Sequence, residues 1–270
     1  MNLLVTLNSK YIYPLCVMLR SLKASNPHTI FDIYVAHSSL TKEDFDEIYK
    51  NINDNMHIHP IIVDDKLFES APVLSRISKE TYYRLLIDSF LPDDIDRILY
   101  LDPDIVVINS LDEFYNVNLE GNVVAACPHM YGFLEFCNRV RLGLTFKRGR
   151  RYVNAGVILI DVKAWRKVID SKGILDFVAK NIRKLKLSDQ DALNILFHGR
   201  MLIVDERKYN LDEKTFFHFN LPGRIIKRYK RIDLDWVEKN TVIVHFNGSK
   251  KPWSTKKYKG KLGGYFESYR

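Results

Sequence analysis

The sequence predicts an α/β protein with a mostly parallel sheet, and two observations carry that expectation. Apolar runs of strand length alternate along the chain with segments whose apolar residues recur every three or four positions, the order of βαβ units. The 270 residues suffice for a core that needs no disulfide or metal to hold it, and no linker, repeat or low-complexity tract divides them, so a single domain is expected.

LLVTL (3–7) reads as the first strand and Tyr11–Ala24 as the first helix. In that helix Leu15, Met18, Leu19 and Leu22 share a face, and Pro14 falls in the first turn, where its missing N–H costs little. FDIYVA (31–36) is a strand, and Thr41 with Asp44 forms a capping box ahead of a second helix. After the strand MHIHPIIV (56–63), SKETYYRLLIDSF (78–90) reads as a helix capped by Ser78 and ended before Pro92. RILYL (97–101), NVVAA (122–126) and VNAGVILI (153–160) are strands; Asp161–Val168, Gly173–Leu185 and Ser188–Phe197 are helices. Beyond Asp205 the pattern is irregular and rich in Phe, Tyr, Lys and Arg until TVIVHF (241–246) gives a last strand.

Composition excludes several classes. With 46% apolar and 27% charged residues, and no apolar run near the roughly 20 residues of a membrane span, the chain is not expected to cross a bilayer. MNLLVTLNSKY lacks the basic start and small-residue cleavage site of a signal peptide. Cys16, Cys127 and Cys137 are odd in number and form no C-x-x-C pair, which argues against a disulfide framework or zinc site and for buried thiols in a reducing cytoplasm. The balance of 41 basic against 33 acidic residues is +8, and the excess gathers in KRGRR (147–151), RIIKRYKR (224–231) and the stretch from Lys250 to Lys261. Such clusters suit an anionic partner: a nucleotide, a phosphorylated glycan or an anionic bilayer surface.

ILYLDPDIVV (98–107) sets two aspartates in an otherwise apolar run. In a strand, residues two apart share a face, so Asp102 and Asp104 can aim both carboxylates at one point, where each, unpaired, would raise the other's pKa. A hard divalent cation removes that conflict, and Mg2+ or Mn2+ suits oxygen ligands. Pro103 marks a break in the ladder at the sheet's edge, and in parallel α/β sheets ligands bind at the carboxyl ends of the strands. On these residues alone other readings stay open. An Asp-Pro-Asp turn can merely cap a strand, and a phosphatase of the haloacid dehalogenase type also carries an apolar strand followed by Asp-x-Asp, the first Asp being a covalent nucleophile. That family expects its motif near the N-terminus and a later Gly-Asp pair, whereas SDQDA (188–192) has no glycine. An EF-hand is excluded, since Val106 and Val107 stand where polar ligands belong. A non-enzymatic protein that bound nucleic acid or membrane through the basic clusters would have no use for two carboxylates aimed at one point, so nucleic acid is not expected as a partner.

Beside this pair stand YYRLLI (82–87), YVNAGVILID (152–161), SDQDALN (188–194) and HFNGSKKPW (245–253). In this order and spacing the segments resemble glycosyltransferase family 8, the retaining sugar-nucleotide-dependent transferases that include bacterial lipooligosaccharide galactosyltransferases and glycogenin. The resemblance runs from the first strand to Trp253. It implies a GT-A-type, Rossmann-like domain over residues 1–253 followed by a basic tail, 254–270. It also implies transfer of a hexose, glucose or galactose, from UDP to a glycan or glycoconjugate acceptor in the cytoplasm. The basic, Tyr-containing tail is expected to hold the enzyme peripherally against an anionic bilayer while it works on a lipid-linked or surface glycan.

In that family the Asp-x-Asp carboxylates and a histidine of the final strand hold Mn2+ on the donor diphosphate, which carries over to Asp102, Asp104 and His245. A mixed oxygen and imidazole set fits Mn2+ better than Mg2+. Gly248 would let the backbone approach the diphosphate, and Lys251 would add a point charge to it. TLNSKY (6–11) is the expected uridine loop, with Tyr11 stacking on the base and Asn8 bonding its edge; many relatives carry acidic residues where Asn8 and Ser9 stand. Arg84 and Asn154 match positions that grip the donor sugar and its phosphate. Asp189 and Gln190, in the first turn of a helix capped by Ser188, are implied under the anomeric carbon. An amide is a poor nucleophile, so a front-face route in which Gln190 stabilises positive charge on the ring is preferred to a covalent intermediate. Some relatives have an acidic residue near His129, and residues 129–152, with Tyr131, Phe133 and Phe136, are expected to form a lid or an acceptor wall.

Overall fold

A computed structural model describes residues 1–68, 79–129, 131–147, 149–220, 231–254 and 258–270. Its first half runs β1 (Asn2–Thr6), α1 (Ile12–Ser25), β2 (Phe31–His37), α2 (Lys42–Tyr49), β3 (Met56–Ile62), α3 (Glu80–Tyr83), β4 (Arg97–Leu101), β5 (Ile105–Val107), α4 (Asp112–Tyr115), β6 (Val124–Pro128) and α5 (Gly132–Leu142). The second half runs β7 (Val153–Asp161), α6 (Val162–Arg166), α7 (Ser171–Asn181), α8 (Ser188–Leu196), β8 (Met201–Ile203), α9 (Glu206–Tyr209), α10 (Glu213–Asn220), α11 (Leu234–Asn240), β9 (Ile243–His245) and α12 (Gly263–Glu267).

Seven strands form one sheet in the order β3-β2-β1-β4-β7-β6-β8. β1 runs parallel to β2 and β4, β2 to β3, and β6 to β8, whereas β7 is antiparallel to both its neighbours, β4 and β6. The sheet is therefore the mostly parallel, mixed one expected. Its central strands β1, β4, β7 and β6 are buried on both faces: in β4, Ile98 and Tyr100 pack on one side and Leu99 and Leu101 on the other, all at 0% exposure. β5 and β9 pair antiparallel in a separate two-stranded sheet, which places His245 opposite Ile105.

Local signals held where they were short-range. Thr41 and Asp44 make the capping box, each side chain meeting the other's backbone N–H. The expected helix over 78–90 breaks instead. α3 ends at Tyr83 and only a 3-10 turn, Ile87–Ser89, follows. Tyr82 to Ile87 are all buried, and six consecutive buried residues leave an α-helix no face for solvent. Ser78, the expected cap, lies outside the described residues, as does most of RIIKRYKR. Among the three cysteines, Cys16 and Cys127 are buried as expected, but Cys137 is exposed on α5. Among the described residues no helix is long and apolar enough to cross a membrane.

The end of the chain, which the sequence reads as a basic tail, packs onto the small sheet. Leu262 and Phe266 are 0% and 1% exposed and join a cluster with Val17, Val106, Val244 and Phe246. Phe266 lies 5.7 Å from Phe246 and 5.3 Å from Trp253, ring centre to ring centre. Deleting its ring should leave a cavity under β9, so Phe266→Ala is expected to lower the unfolding free energy in urea by about 3–5 kcal/mol. Lys261→Ala, at an exposed neighbour, should change it by less than about 0.5 kcal/mol. A loss below about 1 kcal/mol for Phe266→Ala would show that the terminal helix contributes nothing to the fold.

Candidate active site

One edge of the main sheet gathers the candidate residues because of strand direction. β1 and β4 end there, delivering Asn8 and Asp102; β7, running the other way, begins there and delivers Asn154 and Gly156. Asp102 and Asp104 lie in the turn between β4 and β5 rather than on one face of a strand, so their convergence comes from the turn and not from strand alternation. The backbone pins them there: Asp102 N–H donates to the Gly156 carbonyl (2.8 Å), and Phe246 N–H donates to the Asp104 carbonyl (2.9 Å). Gly156 is required by close approach, since a Cβ at that position would stand 2.4 Å from both Asp102 Oδ2 and His245 Cε1.

His245 Nε2 lies 3.1 Å from Asp104 Oδ1 and 3.6 Å from Asp102 Oδ2. The Asn210 side chain sets the tautomer. Its Nδ2 donates to Asn154 Oδ1 (2.9 Å), which leaves its Oδ1 to accept from His245 Nδ1–H (2.8 Å). Nε2 thus faces the two carboxylates, where it carries a proton or meets a cation. Burial alone would lower the His245 pKa, but Asp104 and Asp102 more than offset it and raise it. Burial likewise pushes Asp104 up, yet His245 and Lys251 outweigh it and hold the carboxyl below its usual range. The ligand atoms of Asp102, Asp104 and His245 lie within 4.8 Å of one another and form the one such cluster among the described residues able to hold a metal ion. Two carboxylates and an imidazole presented this way fit a divalent cation.

Arg84 ties this cluster to the next. Its guanidinium meets Asp102 Oδ1 through Nη1 (2.9 Å) and Asp189 Oδ2 through Nε (3.2 Å), and it lies 4.5 Å over the Tyr100 ring. Tyr100 O–H donates to Asp102 Oδ1 at 2.6 Å. Gln190 Oε1 accepts from Asn154 Nδ2 (3.1 Å) and weakly from Ala155 N–H (3.4 Å). Its Nε2 donates to Tyr152 O–H (3.0 Å), whose proton goes to the fully buried Asp191 (2.7 Å), itself paired with Arg141 (2.9 Å). Ser188 does not cap α8 as expected. It sits at φ 44°, in the left-handed region that costs a non-glycine residue about 1–3 kcal/mol, and the Leu187 N–H before it is taken by Asp191 Oδ2 (2.8 Å).

Asn8 and Tyr11 line one cleft with Arg84, Asp102 and Asp104. Arg84 and Asp102 also border a cavity of about 550 Å³ that reaches Asn154, Asp189, Gln190 and His245. Asn8 Oδ1 caps the turn after β1 by accepting from Lys10 N–H (3.2 Å), and Tyr11 packs edge-on against Trp253. Lys251 reaches Asp104 Oδ2 at 2.5 Å, beside the cluster rather than beyond it. Gly248 lies in a neighbouring cavity with Asn247 and His245, and a Cβ there would meet nothing closer than 4.0 Å, so the fold itself does not demand glycine. Residues 129–152 include α5, an element the sequence did not predict. Tyr100, Tyr152, Gly156, Asp191 and Asn210 were not foreseen as parts of the site.

Burial pushes the Asp189 carboxyl up to about 6, although Arg84 pulls the other way. With the folded value above the unfolded one of about 3.9, the group's stabilising contribution is complete below pH 4 and is lost as pH rises through about 6. Wild type should therefore lose on the order of 2–3 kcal/mol of unfolding free energy relative to Asp189→Asn between pH 4 and pH 7, measured in urea. Parallel curves for the two proteins would mean that the carboxyl titrates normally.

The model of glycosyl transferase family 8 matches residues 2–257. The chain is 27% identical over 258 residues to lipopolysaccharide 1,3-galactosyltransferase of Salmonella typhimurium, covering 93% of this chain and 72% of that protein. To glycosyltransferase GlyF of Streptococcus pneumoniae it is 25% identical over 256 residues; the alignment takes in 94% of this chain, which spans only 57% of GlyF. The galactosyltransferase LgtC, solved in complex with donor and acceptor sugar analogs, superposes with a TM-score of 0.83 at 25% identity over 100% of this chain and 95% of its own. A family match over nearly all its length, on a shared GT-A fold, shows that the chain belongs to glycosyl transferase family 8.

Proposed function

We propose that the protein is a metal-dependent retaining glycosyltransferase that moves glucose or galactose from UDP to a saccharide acceptor. The observation that carries this reading is the Asp102, Asp104 and His245 cluster, of which Asp102 and His245 line the same cavity as Gln190. Family membership argues against the phosphatase alternative for the Asp-x-Asp pair. Asp102, Asp104 and His245 would hold Mn2+, with Mg2+ as a substitute. Bound there, the ion supplies Lewis-acid stabilisation of the negative charge that grows on a departing diphosphate.

The chain's own groups divide the remaining work. Asn8 and Tyr11, in the cleft beside the carboxylates, take the uracil, and Lys251 and the Gly248 backbone take the diphosphate. Arg84 and Asn154 border the sugar's cavity. Gln190 projects its amide from the first turn of α8 towards the ring, where an oxygen lone pair stabilises positive charge at the anomeric carbon. Asp189 is engaged by Arg84 at 3.2 Å, which restrains it as a nucleophile and favours the front-face route. In that route the acceptor hydroxyl enters on the side from which UDP leaves, and its proton passes to the diphosphate oxygen.

Melting with UDP, UDP-glucose, UDP-galactose or UDP-N-acetylglucosamine, each with Mn2+ or a chelator, tests the site, since a ligand at 100 times its Kd stabilises by about 2.7 kcal/mol. The expected shift needs nucleotide and metal together and disappears in Asp104→Ala. A shift indifferent to metal and to that substitution removes the proposed metal role. For the stereochemistry, proton NMR of the first product formed is expected to show the donor's anomeric configuration kept. An inverted linkage, or a glycosyl adduct isolated on Asp189, overturns the front-face route.

A further inference from the structure

Between α5 and α10 lies a second cavity, of about 550 Å³, within the range of small-ligand sites. It is not a separate hole. His129, Lys186 and Lys214 line both it and the cavity that reaches Gln190, so the two spaces meet at these three side chains. Its walls are apolar and exposed where a folded protein would normally cover them: Leu134 on α5 is 71% exposed and Phe217 on α10 is 65%. Tyr131 stands between them, its ring stacked on His218 at 3.9 Å. Flat apolar faces beside a cleft suit the C–H faces of a sugar ring.

The charge of this cavity is one-sided. Arg141, Lys186 and Lys214 line it, and among the described residues no carboxylate does. Arg141 is already balanced, since its Nη2 meets the buried Asp191 at 2.9 Å. Lys186 and Lys214 are exposed, and neither forms an ion pair with a carboxylate among the described residues. Two uncompensated ammonium groups at the mouth of a concave, partly apolar space repel each other and draw in an anion. Both also line the cavity bordered by Asp102, Asp189, Gln190 and His245, whereas Lys251 is already paired with Asp104.

We propose that this cavity is the acceptor subsite and that it selects a saccharide bearing a negative charge, a phosphate or a carboxylate, which Lys186 and Lys214 grip beside the ring. The proposal rests on the glycosyltransferase reading for the acceptor role, and it adds the chemical class of the acceptor. It accounts for both halves of the lining: the aromatic wall holds the ring, and the lysine pair fixes which edge of it faces Gln190.

The test titrates methyl β-glucoside, methyl β-glucuronide and glucose 6-phosphate into the full chain with UDP and Mg2+ present, following binding by saturation-transfer NMR. At low salt the better of the two charged sugars should saturate at a concentration at least tenfold below the neutral one, and it identifies carboxylate or phosphate as the favoured group. The gap should narrow in 0.5 M NaCl, because exposed charges are screened. In the Lys186→Gln/Lys214→Gln double variant it should fall to about twofold or less. Both lysines are exposed, and a melting temperature within a few degrees of wild type confirms that the variant is folded. Equal binding of neutral and charged sugars overturns the proposal, and so does a gap that survives in the double variant. Loss of UDP binding in that variant with the saccharide preference intact overturns it too, by assigning the lysines to the donor. The wild-type melting shift with UDP and Mn2+ reports the donor reading separately, so failure of one is not mistaken for failure of the other.

Discussion

Three carboxylates share one buried corner of this protein, and the need to meet each with positive charge governs much of what surrounds them. Asp104 and Asp189 are 6% and 7% exposed, and an ionised carboxylate taken from water without a partner costs several kcal/mol. Arg84 answers two of the three, bridging Asp102 and Asp189 with different nitrogens of one planar fork, while its Nη1 also donates to the Ala155 carbonyl at 2.7 Å. A lysine there, with a single ammonium, could not span both carboxylates. Lys251 and His245 answer Asp104. With His245 neutral, two lasting cations face three anions, and the remaining negative charge is what makes the corner attractive to a metal ion. The local cost is visible in the chain: the YYRLLI segment leaves its helix after Tyr83, with Arg84 turned onto Asp102, Asp189 and the Ala155 carbonyl while its apolar neighbours all pack inward.

The small β5–β9 sheet is best understood as the device that brings His245 to Asp104 across 141 positions of sequence. Two short strands alone are marginally stable, so this pair needs covering. α12 supplies part of the cover, through Leu262 and Phe266 against Val106, Val244 and Phe246. The family match ends at residue 257, yet these residues lie beyond it. They touch no candidate ligand. Their contribution to the site is mechanical: Phe246 follows His245 directly, and the ring of Phe266 holds Phe246 in place. What reads in sequence as a basic tail is thus amphipathic, with Lys250, Lys259 and Lys261 outward and the apolar residues inward.

Much of this was legible in the sequence where the signal was local or chemically unusual. Two aspartates in an apolar run, alternating strands and helices, and the Thr41 capping box all depend on residues a few positions apart. The direction of β7 was not legible, because a strand buried on both faces carries the same apolar pattern whichever way it runs. That direction matters: reversed, β7 would bring its other end to the site and leave Asn154 at the far edge. The breaking of the 78–90 helix was hidden because period reasoning sees apolar residues but not the ion pairs that draw Arg84 inside. Asn210 gave no signal at all, being an amide in an irregular stretch, and its role appears only once His245 is placed against it. Ser188 gave a false signal, since a serine before an acidic turn has the look of a cap, whereas Asp191 does that work from within the helix.

The hydrogen-bond chain behind Gln190 decides which side chain can stand there. Asp191 is fully buried and ion-paired with Arg141, so it acts as an acceptor, and the Tyr152 hydroxyl must give its one proton to it. That hydroxyl then has only lone pairs to offer Gln190, which fixes the amide with Nε2 towards Tyr152 and Oε1 towards Asn154 and Ala155. A carboxylate at position 190 would set oxygen against oxygen at 3.0 Å with no proton between them. The arrangement therefore selects an amide over an acid. An amide held in this way presents an oriented carbonyl dipole to the cavity and cannot form the stable glycosyl ester that a carboxylate would. On the glycosyltransferase reading proposed above, such an amide would stabilise charge at the ring rather than trap it covalently, and the bonds that orient it run back through Tyr152 and Asp191 to Arg141 on α5.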